Sequence, residues 1–439
     1  FSAYNIIGLK GLEVAAQSAI DVQMPVYRFG ESASTIVSGM SPRAALELWT
    51  PALFQEDLLK GVLTQRAGAS VALQAGATLA GLIDPASSPL SIGEGSRISV
   101  DAGQRIGLRG AGQITLDGEL NAWGGIVDIR QQQFGAIDVA TSLQEADPTP
   151  HNRSIWIGEH ALIDVAGRAA TAVDALGRVY GQVGKGGSII VGGEIDVKKI
   201  TATAADAFVI IRNGARLEAS GAQAVLDSGG QGPARVATDG GRITLSSYNG
   251  LFIEGSLQAN AGGAGAAGGR LEIALDTPAY GPANLSNAVR VPREMIIAQG
   301  PAPALPQPLR AGEASPLLRY GRTRLSADQL MSGGFDSVSL LSNGLMTFDG
   351  GVDLHMGQGL RLFAGSLSLA ESASDSARVN LSAPYLRLSG LGTYFSSEVK
   401  VRPRVMSNPT AQLSGAQFTA SADLLDVGNS LSFGTEGSL

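Results

Sequence analysis

Four aspartates of this sequence lie inside the tripeptide Ile-Asp-Val, and they are its best candidates for catalysis. The copies are centred on Asp21, Asp138, Asp164 and Asp196. In a strand, the two apolar neighbours point to one face and the acid points to the other. Polysaccharide hydrolases and lyases need clustered carboxylates on one exposed groove. Because the spacing is irregular, the four acids need not share a column, and we expect solvated acids on half-buried strands.

A second group of acids is close together in sequence: Asp328, Asp336, Asp349 and Asp353. Aspartate also favours turns and helix caps, where its side chain accepts backbone hydrogen bonds. We expect these four residues to do that structural work.

Metal and nucleophile chemistry has little support in the residue types. The sequence has no cysteine and three histidines, His151, His160 and His355, whose spacing does not suit a metal site. The glycine runs 261–269 and 181–187 lack the aspartate of calcium-binding repeats and the Lys-Ser/Thr ending of a phosphate-binding loop. We predict no catalytic residue, no cofactor and no metal site, and therefore a protein that is not an enzyme.

The three tryptophans allow two interpretations. Trp49, Trp123 and Trp156 each occur among apolar residues, which favours packing in a core. The alternative is a surface platform on which a sugar ring stacks.

Composition restricts the class of protein. The 439 residues include 59 glycines, only 16% are charged, and the net charge of −7 gives no reason to expect nucleic acid as a partner. We find no apolar run long enough for a membrane-spanning helix. Glycine-rich chains of low charge suit a backbone that makes many tight turns.

Short strands separated by glycine turns dominate the chain. Examples are Val71–Leu73, Ile98–Val100, Ile114–Leu116 and Ile126–Ile129. A Gly-Gly pair precedes an apolar alternation at 186–191, 240–245 and 268–273, and Asn-Gly turns occur at 213, 249 and 343. These features predict an all-β, right-handed parallel β-helix, with a sandwich or barrel as the alternative. At roughly 20 residues per coil and about 4.8 Å per coil, we expect roughly 18 coils and a rod of about 80–90 Å.

Two segments predict short helices. Thr50-Pro51 fits an N-cap followed by proline, and Ser326-x-x-Gln329 fits a capping box. Each segment ends at glycine, as helix C-termini prefer, and strands follow. In addition, 1–22 is similar in pattern to 335–354.

The predicted organisation is a β-helix over 1–275 with a short helix near 50–60, a Pro-rich excursion over 276–323, and a β-helix continuation over 324–439 with a short helix near 326–332. We also expect an insertion at Arg168–Val183. The chain starts at Phe1 with what looks like the end of a repeat unit, so we expect a fragment of a longer protein whose neighbouring coils cover its end strands.

The segments LWTPALFQEDLLKGVL (48–63), 325–354 and RSIWIGEHALIDVAG (153–167) resemble the large exoproteins of the filamentous haemagglutinin family. The resemblance covers roughly 4–275 and 317–430. It implies a right-handed parallel β-helix, secretion to the surface of a Gram-negative bacterium by the outer-membrane transporter of a two-partner system, and a role as adhesin or toxin-delivery stalk.

We therefore expect a structural and adhesive rod segment. Its expected partners are the transporter, a receptor or glycan on a host or neighbouring cell, and other copies of itself in fibres. One alternative is the stalk of a contact-dependent toxin. Another is a β-helical polysaccharide-active enzyme, which requires a cleft with three or more converging acids.

Overall fold

The chain forms a parallel solenoid with three sheets running along its axis. The computed structural model describes residues 2–30, 34, 38, 41–76, 88–131, 153–227, 232–277, 293–301, 304–306, 309–313, 315–374, 376–391, 415–429 and 431–433. Nearly all its regular elements are strands, so the predicted all-β parallel β-helix is confirmed. Among the described residues no helix is long and apolar enough to cross a membrane.

The first sheet has 11 strands in parallel register, one from each coil. In stacking order they are Ala3–Gly8, Ser70–Ala75, Arg105–Gly110, Ile126–Gln131, Ser188–Val191, Arg242–Ser247, Gly269–Leu275, Phe335–Ser342, Gly359–Phe363, Tyr385–Ser389 and Leu424–Gly428.

The second sheet also has 11 parallel strands. In stacking order they are Leu12–Val14, Leu90–Ile92, Ile114–Leu116, Ser154–Ile157, Phe208–Ile211, Gly250–Ile253, Arg322–Ser326, Arg293–Ala298, Gly344–Asp349, Ser366–Leu369 and Ser432–Phe433.

The third sheet is in two parts, separated by a short helix. The six-stranded part consists of Ala19–Val22, Arg97–Val100, Glu119–Asn121, Leu162–Asp164, Arg216–Glu218 and Ser256–Gln258, and the three-stranded part consists of Val352–His355, Arg378–Ser382 and Gln417–Ser421.

Alternation along each strand builds the core. In the first sheet Leu73, Leu108 and Ile129 are neighbours in successive strands, and all three are buried. Their partners on the second and third sheets close one continuous apolar core. Burying each such side chain contributes about 1.5–3 kcal/mol, so the columns account for much of the stability.

A bare coil has the predicted length, but the expected number of coils was wrong. Arg105 pairs with Ile126, 21 positions later. Among the described residues the first sheet nevertheless has 11 strands, not 18, because hairpin excursions lengthen several of the coils. At about 4.8 Å per rung the described stack is about 50 Å long.

In the described part of the chain, five antiparallel strand pairs project from the coils. They are Val26–Phe29 with Leu46–Trp49, Phe54–Asp57 with Val62–Gln65, Ala169–Val173 with Val179–Val183, Ile195–Asp196 with Thr201–Ala202, and Gln223–Asp227 with Pro233–Ala237. The third pair confirms the predicted insertion at Arg168–Val183. A short 3-10 helix, Pro42–Ala45, precedes Leu46–Trp49.

The predicted helix near 50–60 was wrong, because that segment is a β-hairpin. The carboxylate of Asp57 accepts hydrogen bonds from the backbone N–H groups of Leu59 and Lys60, and Gly61 closes the turn at φ +61°. Leu59 is 99% exposed, so a helix here would have had no complete apolar face to bury.

The second predicted helix is confirmed as Ala327–Ser332, which we call α1. The Ser326 side chain accepts a hydrogen bond from the Gln329 N–H at 3.2 Å, as an N-cap does. The other half of the capping box is replaced, since the Gln329 amide donates to the Gly255 carbonyl at 2.6 Å. Ala327 and Leu330 enter the core, so α1 fills the place of one strand of the third sheet.

The predicted domain boundaries at 276 and 323 stay a prediction. Within that range the structure describes the strand Arg293–Ala298, which the sequence reading had assigned to the excursion. Arg322–Ser326, which follows it in the chain, lies between it and Gly250–Ile253. The second sheet therefore gains a rung here, and Ser366–Leu369 later pairs directly with Ser432–Phe433.

The described parts of 304–320 pack on the outer face of the second sheet, as expected for an excursion that returns to the rod. Leu305, Leu309 and Leu318 cover Trp156 and Phe208. A buried ion pair between Arg212 and Glu254 (3.4 Å) anchors this cover, because Glu254 accepts the Leu305 N–H and Arg212 donates to the Pro306 carbonyl.

Candidate functional site

A polar column runs up the outer face of the third sheet. Its members occupy one register position in six successive strands: Asp21, Ser99, Asn121, Asp164, Glu218 and Gln258. Successive members are therefore about 4.8 Å apart. Asp21 and Asp164 do share a column, which their sequence spacing had not indicated.

The lower end of this column forms the floor of a groove of about 530 Å³, which we call the third-sheet groove. Asp21, Arg97, Ser99 and Asn121 lie on its floor, and the segment 50–53 forms one wall. The aromatic ring of Trp123 stands at its far end. Polar groups beside an aromatic ring suit a hydroxyl-rich ligand.

An ion pair at the base of the groove fixes the wall. Both terminal nitrogens of Arg66 donate to the Asp101 carboxylate, at 2.7 and 2.9 Å, and both side chains are nearly buried. Arg66 also donates to the Pro51 carbonyl at 2.9 Å. Asp101 additionally accepts from the backbone of Met24 and Ala69. These hydrogen bonds connect the groove wall at 50–53 to two coils of the solenoid.

Trp123 is oriented by its own hydrogen bond. The indole N–H donates to the Asp164 carboxylate at 3.1 Å, and the Arg168 guanidinium lies 5.4 Å from the ring centre. Arg168 also pairs with Asp164 at 2.5 Å, and the Ala166 N–H donates to the other carboxylate oxygen. Asp164 therefore fixes the orientation of the Trp123 ring, which lies at the end of the groove.

The expectation of solvated acids on Ile-Asp-Val strands is confirmed for Asp21 and wrong for Asp164. Asp21 is exposed and lies 3.6 Å from Arg97. Asp164 is buried, because it binds Trp123 and Arg168. Asp196 lies in an excursion hairpin, where bonds from the Lys199 and Lys198 N–H groups lower its pKa. Asp138 lies outside the described residues.

Two acids line the described part of the third-sheet groove, Asp21 and Asp101, and each is paired with an arginine. The polysaccharide-active enzyme hypothesis requires three converging acids, which this groove does not supply. The prediction that the protein is not an enzyme stays a prediction.

The expectation of core packing was wrong for two of the three tryptophans. Trp49 is 40% exposed under the Arg28 guanidinium, and Trp123 is 39% exposed at the groove. Trp156 is buried, although beneath the excursion rather than inside the solenoid. Neighbouring apolar residues did not distinguish these settings, since a strand presents alternate residues to opposite faces.

The turn or cap role expected for the second group of acids fits Asp328, whereas Asp336 and Asp349 bond to residues far away in the chain. Asp328 lies in the first turn of α1 and accepts from Gln299. Asp336 accepts the Gly268 N–H, and Asp349 pairs with Arg324 at 2.6 Å. Asp353 lies outward on the third sheet.

The histidines are placed differently from one another. His160 lies at a coil corner beside Glu94 and Asp117, with one ligand atom of each within 4.8 Å of the others. The hydrogen bond to Asp117, at 3.4 Å, raises the pKa of His160. The structure therefore leaves the absence of a metal site a prediction. His355 Nδ1 lies 2.9 Å from Ser382 Oγ, and His151 is outside the described residues.

The glycine runs follow the expected corners in part. Residues 261–268 form the turn before Gly269–Leu275, whereas Gly181 belongs to the hairpin strand Val179–Val183. Sequence reasoning did not identify Arg66 and Asp101. They are 35 positions apart, and no local pattern connects them.

No family model, curated protein or solved structure matches this chain.

Proposed function

We propose that this chain is a structural and adhesive rod segment of a large secreted bacterial surface protein of the filamentous haemagglutinin type. In this proposal an outer-membrane transporter exports the protein, and the solenoid presents its outer faces to a glycan or receptor on another cell. A solenoid without cysteine suits export, because its stability comes from stacked apolar columns and needs no disulfide.

The third-sheet groove is the observation that carries the attachment role. It combines an oriented, exposed Trp123 with a floor of Asp21, Ser99 and Asn121. The floor residues can exchange hydrogen bonds with hydroxyl groups, and the ring offers an apolar face to a sugar. The buried Arg66–Asp101 pair holds the wall in place before any ligand arrives, which lowers the entropy lost on binding.

Both ends of the described stack present apolar side chains that a further rung would cover. Ile6 is exposed on the first strand, and Leu425 and Val427 are exposed on the last strand of the first sheet, each in register with a buried leucine of the neighbouring rung. Unpaired strand edges of this kind favour the addition of another rung, which supports a segment that works within a longer stack or a fibre.

Binding of the purified protein to an array of neutral cell-surface oligosaccharides tests the attachment role. Trp123→Ala should weaken binding at least about tenfold, because stacking and the fixed groove end are both lost. Tyr27→Ala is the matched control, since Tyr27 is an exposed aromatic residue that does not line the groove. An array without any bound glycan, or equal binding by both variants, would contradict the attachment role.

A further inference from the structure

A second cavity, of about 300 Å³, opens on the outer face of the first sheet. Its floor spans four successive strands, with Arg270 and Tyr385 at the outermost of them. The tip of the hairpin formed by Ile195–Asp196 and Thr201–Ala202 overhangs it and contributes Lys198. We call this space the basic pocket.

Cations outnumber acids in the basic pocket. Lys198, Arg270, Arg361 and Arg387 line it, together with the single acid Glu272. Within the described part of the chain, the first three cations have no carboxylate within ion-pair distance. The Arg361 guanidinium instead lies 5.1 Å from the centre of the Tyr385 ring, which keeps its outer donors free for a ligand.

Another group of arginines on the same sheet has a counter-ion within the protein. Arg105, Arg109 and Arg130 all converge on the fully buried carboxylate of Asp128. That group supplies its own counter-ion. The basic pocket has no such central acid among its lining residues, so its cations are available to an anion from outside.

The acids nearest to the pocket neutralise it only in part, since Glu272 interacts with the charge of Arg270 without forming a close ion pair with it. Glu272 is largely buried, which raises its pKa and disfavours its negative charge, and it already pairs with Arg242 at 3.6 Å. Asp426 lies 3.5 Å from Arg387 Nε and also accepts the Tyr385 hydroxyl. Arg387 Nε is buried without a hydrogen bond, so this pairing is incomplete.

We propose that the basic pocket binds the carboxylate or sulfate group of an acidic saccharide. Arg361 and Arg387 are adjacent in one outward column, and planar guanidinium groups bind such oxyanions through paired hydrogen bonds. The hydroxyls of Ser337 and Ser339 lie on the same floor and suit the neutral hydroxyls of a sugar ring. The cavity volume fits a small saccharide unit.

This inference goes beyond the proposed function and stands independently of the third-sheet groove, because the two sites lie on different sheets. It predicts that acidic saccharides bind even when Trp123 is replaced.

Calorimetric titration of the intact chain tests the proposal with three defined hexasaccharides. A heparin fragment provides sulfates, a hyaluronan fragment provides carboxylates, and a chitin fragment is neutral. We expect at least one acidic fragment to bind, with affinity that falls as salt is raised, and any binding of the neutral fragment to be insensitive to salt and to changes in the basic pocket. Which acidic fragment binds identifies the anion.

Variants locate the site. Arg361→Gln combined with Arg387→Gln should weaken acidic-saccharide binding at least about tenfold, whereas the matched change Arg216→Gln, on an exposed arginine of the third sheet, should leave it unchanged. Trp123→Ala should also leave it unchanged. Circular dichroism and the midpoint of thermal unfolding verify the fold of each variant. Failure of both acidic fragments to bind, or equal losses in the double variant and Arg216→Gln, would overturn the proposal.

Discussion

Arg66 donates two parallel hydrogen bonds to the carboxylate of Asp101. The two residues are 35 positions apart in the chain, and both side chains are nearly buried. Arg66 follows the hairpin Phe54–Asp57 with Val62–Gln65, and Asp101 follows a strand of the third sheet. The pair therefore fixes a flexible type of element, a hairpin excursion, onto the rigid stack. Together with the hydrogen bond from the Gln65 side chain to the Ala102 carbonyl, at 2.8 Å, this pair sets the position of the groove wall.

Removing one partner of the pair should destabilise the protein strongly. Asp101→Ala leaves the Arg66 charge buried without a counter-ion, which costs about 3–5 kcal/mol. Urea unfolding followed by circular dichroism measures this change. Asp21→Ala is the control, because the exposed Asp21–Arg97 pair should contribute less than about 1 kcal/mol. Similar losses in both variants would show that the buried pair has no special role.

Truncating a leucine in a core column should lower the free energy of unfolding much more than truncating a leucine at a hairpin tip. Leu108 is fully buried in the first sheet, so Leu108→Ala should cost about 2–5 kcal/mol. Leu59→Ala, at the exposed turn, should change the free energy of unfolding by less than about 0.5 kcal/mol. Chemical denaturation of the two variants checks the difference, and equal values would contradict the assignment of the core.

Gly334, which follows α1, should tolerate no side chain. It has φ +72°, and an added Cβ would lie 2.1 Å from Asn260 Oδ1 and 2.8 Å from its Cα. Gly265 has a similar φ of +85° but open space around it. Gly265→Ala should therefore cost only the backbone penalty of about 1–2 kcal/mol, and Gly334→Ala should cost clearly more. Thermal unfolding of both variants separates the steric effect from the backbone effect.

The pKa of His160 should depend on Asp117. The hydrogen bond that the Asp117 carboxylate accepts from the imidazole raises the pKa of His160, so Asp117→Asn should lower that pKa toward the ordinary histidine value. Because the folded pKa is the higher one, the stabilising contribution is complete below the unfolded pKa and disappears as the pH rises through the folded pKa. A proton NMR titration measures the change, with Glu313→Gln as a distant control. An unchanged His160 titration in Asp117→Asn would contradict this pairing.

The sequence was sufficient to predict the elements that repeat. The Gly-Gly motifs before Ile189, Ile243 and Leu271 became neighbouring strands of the first sheet, in register. Their alternation has the period of a strand, and glycine pairs mark the corners, so pattern and structure agree. The similarity of 1–22 to 335–354 likewise matched strands in equivalent places of the coil.

The same reasoning failed where tertiary contacts decide the outcome. Thr50-Pro51 looks like a helix start, yet the segment forms a hairpin whose position is fixed by Arg66 and Asp101. Trp123 and Trp156 both follow an apolar residue, but among the described residues an excursion covers Trp156 and leaves Trp123 exposed. Periodicity along one strand does not report what a distant segment brings to its outer face.

Arg322–Ser326 enters the second sheet between two strands that precede it in the chain. Because the chain is synthesised from its N-terminus, Arg293–Ala298 is made before its neighbour in the sheet, Arg322–Ser326. A gap beside Gly250–Ile253 must stay open until the later strand arrives, since early pairing of the two flanking strands would exclude it. Assembly of the solenoid consequently cannot proceed strictly one coil after another, and its middle is completed out of order.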